Sequence, residues 1–466
     1  MRHIDIRQLA DDARFSRLHG RVLFWCALII LVDGYDLAVA GVALPSIMKD
    51  MGVDGTTAGF MASSALFGMA FGAMFLGTLA DKIGRRWTIS ICIFLFSAFT
   101  AAAGFTTEPI SFSTTRFIAG LGLGGVMPNI TAAMTEYAPR KLRARLVTLM
   151  FCGYALGGIL AALIGKQFIE VRGWQSVFFA AGLPLVLIPL ILKNMPESLA
   201  YLVARGDDTH LRQIANQLQP GLAAGTADRF VVPAEDAGHA GASIGQLFQD
   251  GRGVSTAMFW IAFFTGLFTM YALGSWLTKL MAMAGYSLGS ALTFTIVFNA
   301  GSIVGALAGG WLGDKLNIKW VLAVMWALGA VALALMGHRL DGLALMGLIA
   351  LVGATTAGTQ ALAYAYIGQF YPMAIRSTGI GMASGIGRAG GIAAPIIIGF
   401  LVSLQLPLPQ NFLAIALACA VGAVAIACVN HRRCASLHGG DAAEAPAAAA
   451  LARGRQPMPQ AARRHP

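Results

Sequence analysis

The sequence predicts an all-α integral membrane protein with twelve transmembrane helices in two six-helix bundles. Three observations lead there. Of the 466 residues, 57% are hydrophobic and only 12% are Asp, Glu, Lys or Arg, about half the charged fraction of an ordinary soluble domain. Twelve apolar runs reach the roughly 20 residues that a bilayer core requires. A segment of the first half also recurs in the second.

The runs lie near 22–43, 57–80, 87–106, 110–135, 146–169 and 174–192, then near 254–278, 287–313, 320–337, 342–368, 377–403 and 410–430. Lipid cannot satisfy loose backbone groups, so each run is expected to be helical. The fourth and fifth are rich in Gly and Ala, which suits close helix packing. Residues 194–253 are polar and read as a cytoplasmic linker between bundles at 22–193 and 254–430. Residues 1–21 read as a cytoplasmic N-terminal segment without a cleavable leader. The Ala/Pro/Arg-rich stretch 431–466 reads as a disordered cytoplasmic tail.

A net charge of +11 does not point to nucleic acid, because the basic residues sit in short connectors and form no single face. With the N-terminus inside, the inner segments hold 26 of the 33 Lys and Arg residues. The outer connectors hold five: Lys49, Lys166, Arg172, Lys279 and Arg339. The positive-inside rule then places both termini in the cytoplasm, and the expected location is a bacterial-type inner membrane. The six cysteines form no C-x-x-C pair and read as small packing residues. Neither a metal nor a cofactor is expected.

The repeat divides the chain. Gly77-Thr-Leu-Ala-Asp81-Lys-Ile-Gly84-Arg85-Arg86-Trp87 recurs as Gly310-Trp-Leu-Gly-Asp314-Lys-Leu-Asn-Ile-Lys319-Trp320, with five of eleven positions identical at an offset of 233. The same offset aligns Pro139 with Pro372 and Arg143 with Arg376. A parallel repeat of this kind implies two bundles related by an axis along the membrane normal, with a cavity between them near the midplane. The pattern Gly77-x-Leu-x-Asp81-Lys-x-Gly84-Arg85-Arg86 resembles the loop signature of the major facilitator superfamily, and the likeness extends over nearly the whole chain. The resemblance makes this loop a gate latch, with Arg143, Asp314 and Arg376 in matching places. The bland alternative is a loop that only fixes topology. In the second copy Asn317 and Ile318 replace Gly84 and Arg85, which is expected to weaken that latch.

Charges inside the membrane carry the chemistry. All eight histidines lie outside the runs, which argues against a histidine proton relay. Two acidic residues lie deep in a run, Asp33 and Asp36. A charge at midplane costs about 2.5–3.5 kcal/mol on insertion scales, and the i, i+3 spacing puts both carboxylates on one helix face. Carboxylates so close repel, so one of them is expected to take a proton reversibly. The alternative is that both simply pair with basic groups to hold helices together. The basic counterparts are Arg116 in the fourth run and Arg388 in Gly385-Ile-Gly-Arg388-Ala-Gly-Gly391 of the eleventh. The guanidinium fork fits a carboxylate; Arg388, mid-run, is the stronger ligand candidate, because Arg116 lies toward the outer helix end.

Asp33-Gly-Tyr-Asp36, the continuation to Pro45 and Arg388 together resemble the aromatic acid:proton symporters of that superfamily, the benzoate type in particular. The resemblance implies import of a small aromatic carboxylate with protons, for which the paired aspartates are required. Tyr35, Phe151, Tyr154, Phe298, Tyr364 and Tyr366 are candidates for an aromatic lining on which a ring stacks; each alone is as readily explained by packing. The expected protein is a monomer in the lipid bilayer.

Other readings are weaker. Gly120-Leu-Gly-Leu-Gly124-Gly125 lies inside an apolar run with no strand before it, so helix packing explains it better than a nucleotide loop. The fifth run lacks the Gly-Pro-x-x-Gly-Gly pattern of drug:proton antiporters, which weakens an export reading. Uptake of a non-aromatic acid stays open. A membrane-embedded enzyme would need a histidine cluster or an H-E-x-x-H motif, and neither occurs. A ligand sensor would need a docking motif in the linker or tail.

Overall fold

A computed structural model describes residues 3–219, 229–231, 244–338 and 342–434 of the chain. Among them are twelve helices long and apolar enough to cross a membrane. A short strand β1 (His3–Asp5) and helix α1 (Ile6–Asp12) precede the spans. The first bundle follows with α2 (Arg17–Met51), α3 (Gly55–Ile83), α4 (Arg85–Ala103), α5 (Pro109–Tyr137) and α6 (Arg143–Arg172). Its sixth span is composite: α7 (Gln175–Ala180), a 3-10 turn at Leu183–Val186 and α8 (Leu187–Asn194).

The linker carries α9 (Leu199–Arg205), α10 (Asp208–Leu218) and strand β2 (Arg229–Val231). The second bundle holds α11 (Gly253–Met283), α12 (Leu288–Lys315) and α13 (Ile318–Met336). It closes with α14 (Gly342–Thr355), α15 (Gln360–Phe370), α16 (Met373–Ser403) and α17 (Leu408–Cys428).

All twelve expected runs are helical, but the helices overrun them. The first is expected over 22–43 and occupies 35 residues, ending at Gly52 with φ +62°. Hydropathy marks only the lipid-length stretch, whereas a helix continues until its terminal groups are capped. His19 is thereby drawn into the first turn of α2, where its Nδ1 accepts the Ser16 N–H at 3.0 Å. It lies fourteen residues from Asp33, roughly 21 Å along the helix, too far for direct proton exchange. Two spans are interrupted. In the sixth, Pro184 removes a donor. In the tenth, Thr356 Oγ1 donates to the Val352 carbonyl at 2.6 Å and Thr359 Oγ1 to the Thr355 carbonyl at 3.1 Å, serving backbone groups around the 3-10 turn Ala357–Thr359.

The polar flanks hold structure that hydropathy did not signal. β1 pairs in parallel with β2, His3 opposite Arg229, and α1 packs against α10 and the end of α5. The expected tail beyond 434 lies outside the described residues.

Pairing repeats between the bundles. α2 packs on α6 as α11 packs on α16, and α3 on α5 as α12 on α14. Three seams join the bundles: α3 with α16, α6 with α12 and α2 with α11. Their hydrogen bonds begin at the face away from the termini, with Thr56 to Ser403 at 3.0 Å and Lys166 to Thr293 at 3.0 Å. They continue inward with Ser63 to the Ile392 carbonyl at 2.8 Å and Arg388 to the Met69 carbonyl at 3.1 Å. Close approach is essential at Gly41, where any Cβ would collide with the Gly274 carbonyl.

Candidate functional site

Both aspartates of α2 are about 1% exposed, yet their surroundings differ. Asp36 Oδ1 accepts from Arg116 Nη1 at 2.7 Å and from Thr100 Oγ1 at 2.9 Å. Arg116 Nη2 also donates to the Asp36 backbone carbonyl at 3.1 Å. The guanidinium is as buried as its partner, so α2, α4 and α5 are joined by a dry ion pair. Arg116 therefore presents no free fork in this conformation.

Asp33 has no such partner: its buried Oδ1 has no hydrogen bond, and no ion pair to it is formed among the described residues. Half-buried on α16, Arg388 bonds only the Met69 carbonyl, and no described carboxylate pairs with it. The first bundle thus holds an unpaired buried acid on α2, and the second an unpaired guanidinium that reaches across the seam of α16 with α3.

The aromatic candidates separate. The backbone of Tyr154 on α6 lies against Gly34 of α2, the residue after Asp33. Tyr364 pairs with Ser384 at 3.1 Å and packs edge-on against Phe263. Phe151 packs on the first bundle's core. The others point elsewhere. Tyr35 donates to the Val177 carbonyl at 2.8 Å, away from the seam. Phe298 is buried in the second bundle's core, and Tyr366 packs on Phe259 with its hydroxyl 3.3 Å from His431. Sequence reasoning missed Tyr271 on α11, whose ring lies on Gly391 of α16, three residues from Arg388; an uncharged residue in an apolar run gives no signal of its own.

The loop between α3 and α4 turns at Gly84, whose φ of +89° favours glycine. The carboxylate of Glu197 accepts the N–H groups of Arg85 at 2.6 Å and Arg86 at 3.2 Å, filling the open start of α4. Arg85 pairs with Glu136 at 2.6 Å, and Glu136 also accepts the Leu199 N–H at 3.1 Å. Arg143 pairs with Asp11 of α1. The side chain of Asp81 lies outside the described residues. Gly77 lies within α3 beside Pro128, Asp314 is exposed, and Arg376 bonds the Tyr371 carbonyl at 3.4 Å. In the second copy Asn317 caps α13 by itself, accepting the Lys319 N–H at 3.1 Å. Glu136 and Glu197 were not picked out from the sequence; carboxylates beside a basic loop were the available signal. Glu197→Ala is expected to cost on the order of 1 kcal/mol, as losing a helix cap does, seen as a lowered Tm of the detergent-solubilised protein.

Among the described residues no group of three His, Cys, Asp or Glu could hold a metal ion. A lone guanidinium can hold an anion and a lone buried acid can take up a proton.

Comparison with known proteins places this arrangement. The Major Facilitator Superfamily profile matches residues 26–308 and 290–452. A benzoate transport protein of Acinetobacter baylyi is 43% identical over 93% of this chain and 94% of its own. A gallate transporter of Pseudomonas putida is 34% identical over 92% and 96%. A 4-hydroxybenzoate transporter of Acinetobacter baylyi is 36% identical over 84% and 86%. Among solved structures, the inward-open xylose transporter XylE of E. coli superposes with a TM-score of 0.67 at 16% identity, covering 88% of this chain and 96% of that one. The fold is the major facilitator fold, and the protein is a membrane transporter rather than an enzyme. The chain belongs to the major facilitator superfamily, in the family that holds these aromatic acid transporters.

Proposed function

We propose that the chain is a secondary active symporter that imports an aromatic carboxylate, of the benzoate or hydroxybenzoate type, together with protons. The observation that carries this reading is an unpaired Asp33 in the first bundle and an unpaired Arg388 in the second, while the Asp36–Arg116 pair is already neutralised. Arg388 takes the substrate carboxylate, and Tyr154 and Tyr364 offer ring faces to it. Asp33 takes the proton, because an uncompensated carboxylate in the membrane is the group that gains most by neutralisation. The names of the relatives support an aromatic acid as cargo.

In this reading the termini are cytoplasmic and the membrane is a bacterial-type inner membrane. The seams joined at Thr56–Ser403 and Lys166–Thr293 are then the closed outer gate of an inward-facing state, in a protein that works as a monomer. The loop at Gly84, tied by Glu197, Glu136 and Arg85, loosens and re-forms as the inner gate cycles.

Uptake of labelled benzoate by cells expressing the chain tests the proposal. Uptake is expected to rise as the external medium becomes acidic, to collapse with a protonophore, and to be competed by unlabelled benzoate. Accumulation that ignores the protonophore would remove proton coupling. Competition by a small dicarboxylic acid but not by benzoate would remove the aromatic cargo. Arg388→Lys keeps the charge but loses the fork, and is expected to raise KM at least about tenfold, roughly 1.4 kcal/mol. An unchanged KM would exclude Arg388 as the carboxylate ligand.

A further inference from the structure

A second group of charges lies at the other end of α2, away from the aspartates. A cleft of about 460 Å³ opens there, lined by Ser16, Arg17, Leu18 and Arg21 at the start of the first span and by Gln217 of α10. Arg17, Arg21 and Gln217 are all exposed. Arg21 Nη2 donates to Gln217 Oε1 at 3.2 Å, which leaves the Gln217 amide N–H groups and the rest of the guanidinium as donors. Among the described residues neither arginine forms an ion pair and no carboxylate lines the cleft. The first turn of α2 holds no acidic residue either. The positive charge of the cleft is therefore unbalanced.

Beyond the cleft the same helix face turns apolar. Arg17, Arg21, Phe24 and Leu28 follow at spacings of four, three and four residues, which sets them in one stripe. Phe24 is 60% exposed although it lies inside the first spanning helix. It stands seven residues from Arg17, roughly 10 Å along the axis. The stripe does not look toward the second bundle. α2 meets α11 at Gly41, a position turned roughly 100–140° away from Phe24 and Leu28. Contact with α6 is made at Ala27 and Leu31, and the buried side is Val22, Trp25 and Ile29. The face left over is the one that meets lipid.

We propose that the cleft is a binding site for the headgroup of an anionic phospholipid, whose acyl chains run along Phe24 and Leu28. Guanidinium forks take phosphate oxygens in pairs, and basic pockets at the membrane surface attract anionic headgroups. The Gln217 amide adds a donor from the linker, so the bound lipid ties α2 to α10 and, through α10, to α1. A free phosphate would satisfy the arginines but leave the apolar stripe unused. A zwitterionic lipid brings the same phosphate with a cation beside it, and the net attraction is lost. The site is separate from Arg388 and holds whatever the cargo.

Titration of the purified full-length protein in detergent with phosphatidylglycerol, phosphatidylcholine or inorganic phosphate tests this, with Tm as the readout. Phosphatidylglycerol is expected to raise the Tm saturably, and the other two are not. Arg17→Gln with Arg21→Gln is expected to raise the half-saturating phosphatidylglycerol concentration at least about tenfold, the order expected for two basic residues at an anionic surface. Lys193→Gln with Arg205→Gln removes the same charge from exposed positions outside the cleft, on α8 and α9, and is expected to leave the titration unchanged. Equal losses in the two double variants would mean diffuse attraction to a basic surface and overturn the site. A rise with inorganic phosphate equal to that with phosphatidylglycerol would overturn the lipid as ligand. Should the arginine variant fail to insert, Phe24→Ala decides: it keeps the charge and is expected to weaken the phosphatidylglycerol titration, and an unchanged titration overturns the proposal.

Discussion

Arg116→Leu is expected to leave little folded transporter in the membrane. The guanidinium is 1% exposed and bonds the Asp36 carboxylate, the Asp36 carbonyl and Thr100. Removing it strands a carboxylate in a dry site. Breaking a buried pair by removing one partner costs about 3–5 kcal/mol, a large share of the roughly 5–15 kcal/mol that keeps a protein folded. Yield and Tm in detergent should both drop sharply. Arg116→Leu combined with Asp36→Leu is expected to recover much of the Tm, because replacing both ions by apolar groups is far less costly. This contrast bears on the role of Arg116. A substrate ligand at that position would lose affinity with stability unchanged, whereas a helix-joining pair loses stability first. A single variant with wild-type Tm and weakened uptake would favour the ligand role.

Much of the fold was legible because lipid leaves the chain few options. Twelve apolar runs had to become helices, and the repeat of Gly77–Trp87 in Gly310–Trp320 set two bundles side by side. The interruptions in the sixth and tenth spans were not legible: a proline without an N–H breaks one, threonine hydroxyls serve freed carbonyls in the other, and both runs stay apolar enough to span. The pairing of β1 with β2 escaped for another reason. Three-residue strands 226 positions apart carry no periodicity to read.

The site was legible as an inventory of charges but not as a set of partners. Asp36 and Arg116 are 80 residues apart in sequence, and nothing local to either names the other. Pairing is what distinguishes two aspartates of similar burial. The repeat sharpens the point. At the offset of 233, Asp33, Asp36 and Arg116 fall on Gly266, Thr269 and Ile349, while Arg388 falls on Ala155. The bundles share a fold, but the acids belong to the first and the free guanidinium to the second. A division of this kind places the unlike charges in different bundles.

Asp33→Asn is accordingly expected to abolish proton-driven accumulation while leaving a folded protein. Asparagine is close in volume, stays neutral and takes no ion-pair partner away, since Asp33 forms no ion pair among the described residues. For one proton carried with one monovalent anion, the cycle is electroneutral and responds to the pH gradient. Each unit then supplies about 1.36 kcal/mol, or roughly tenfold accumulation. Uptake in wild type should climb as the external pH falls, and in Asp33→Asn it should stay flat. Asp36→Asn should behave differently. It leaves Arg116 charged and buried without its counter-ion, so the loss appears first in Tm and yield, as with Arg116→Leu. Two carboxylates three residues apart would thus fail in distinct ways, one in coupling and one in folding. If Asp33→Asn keeps acid-stimulated accumulation while Asp36→Asn is stable but uncoupled, the assignment is reversed: the proton travels on Asp36, and the pair with Arg116 must open in every cycle.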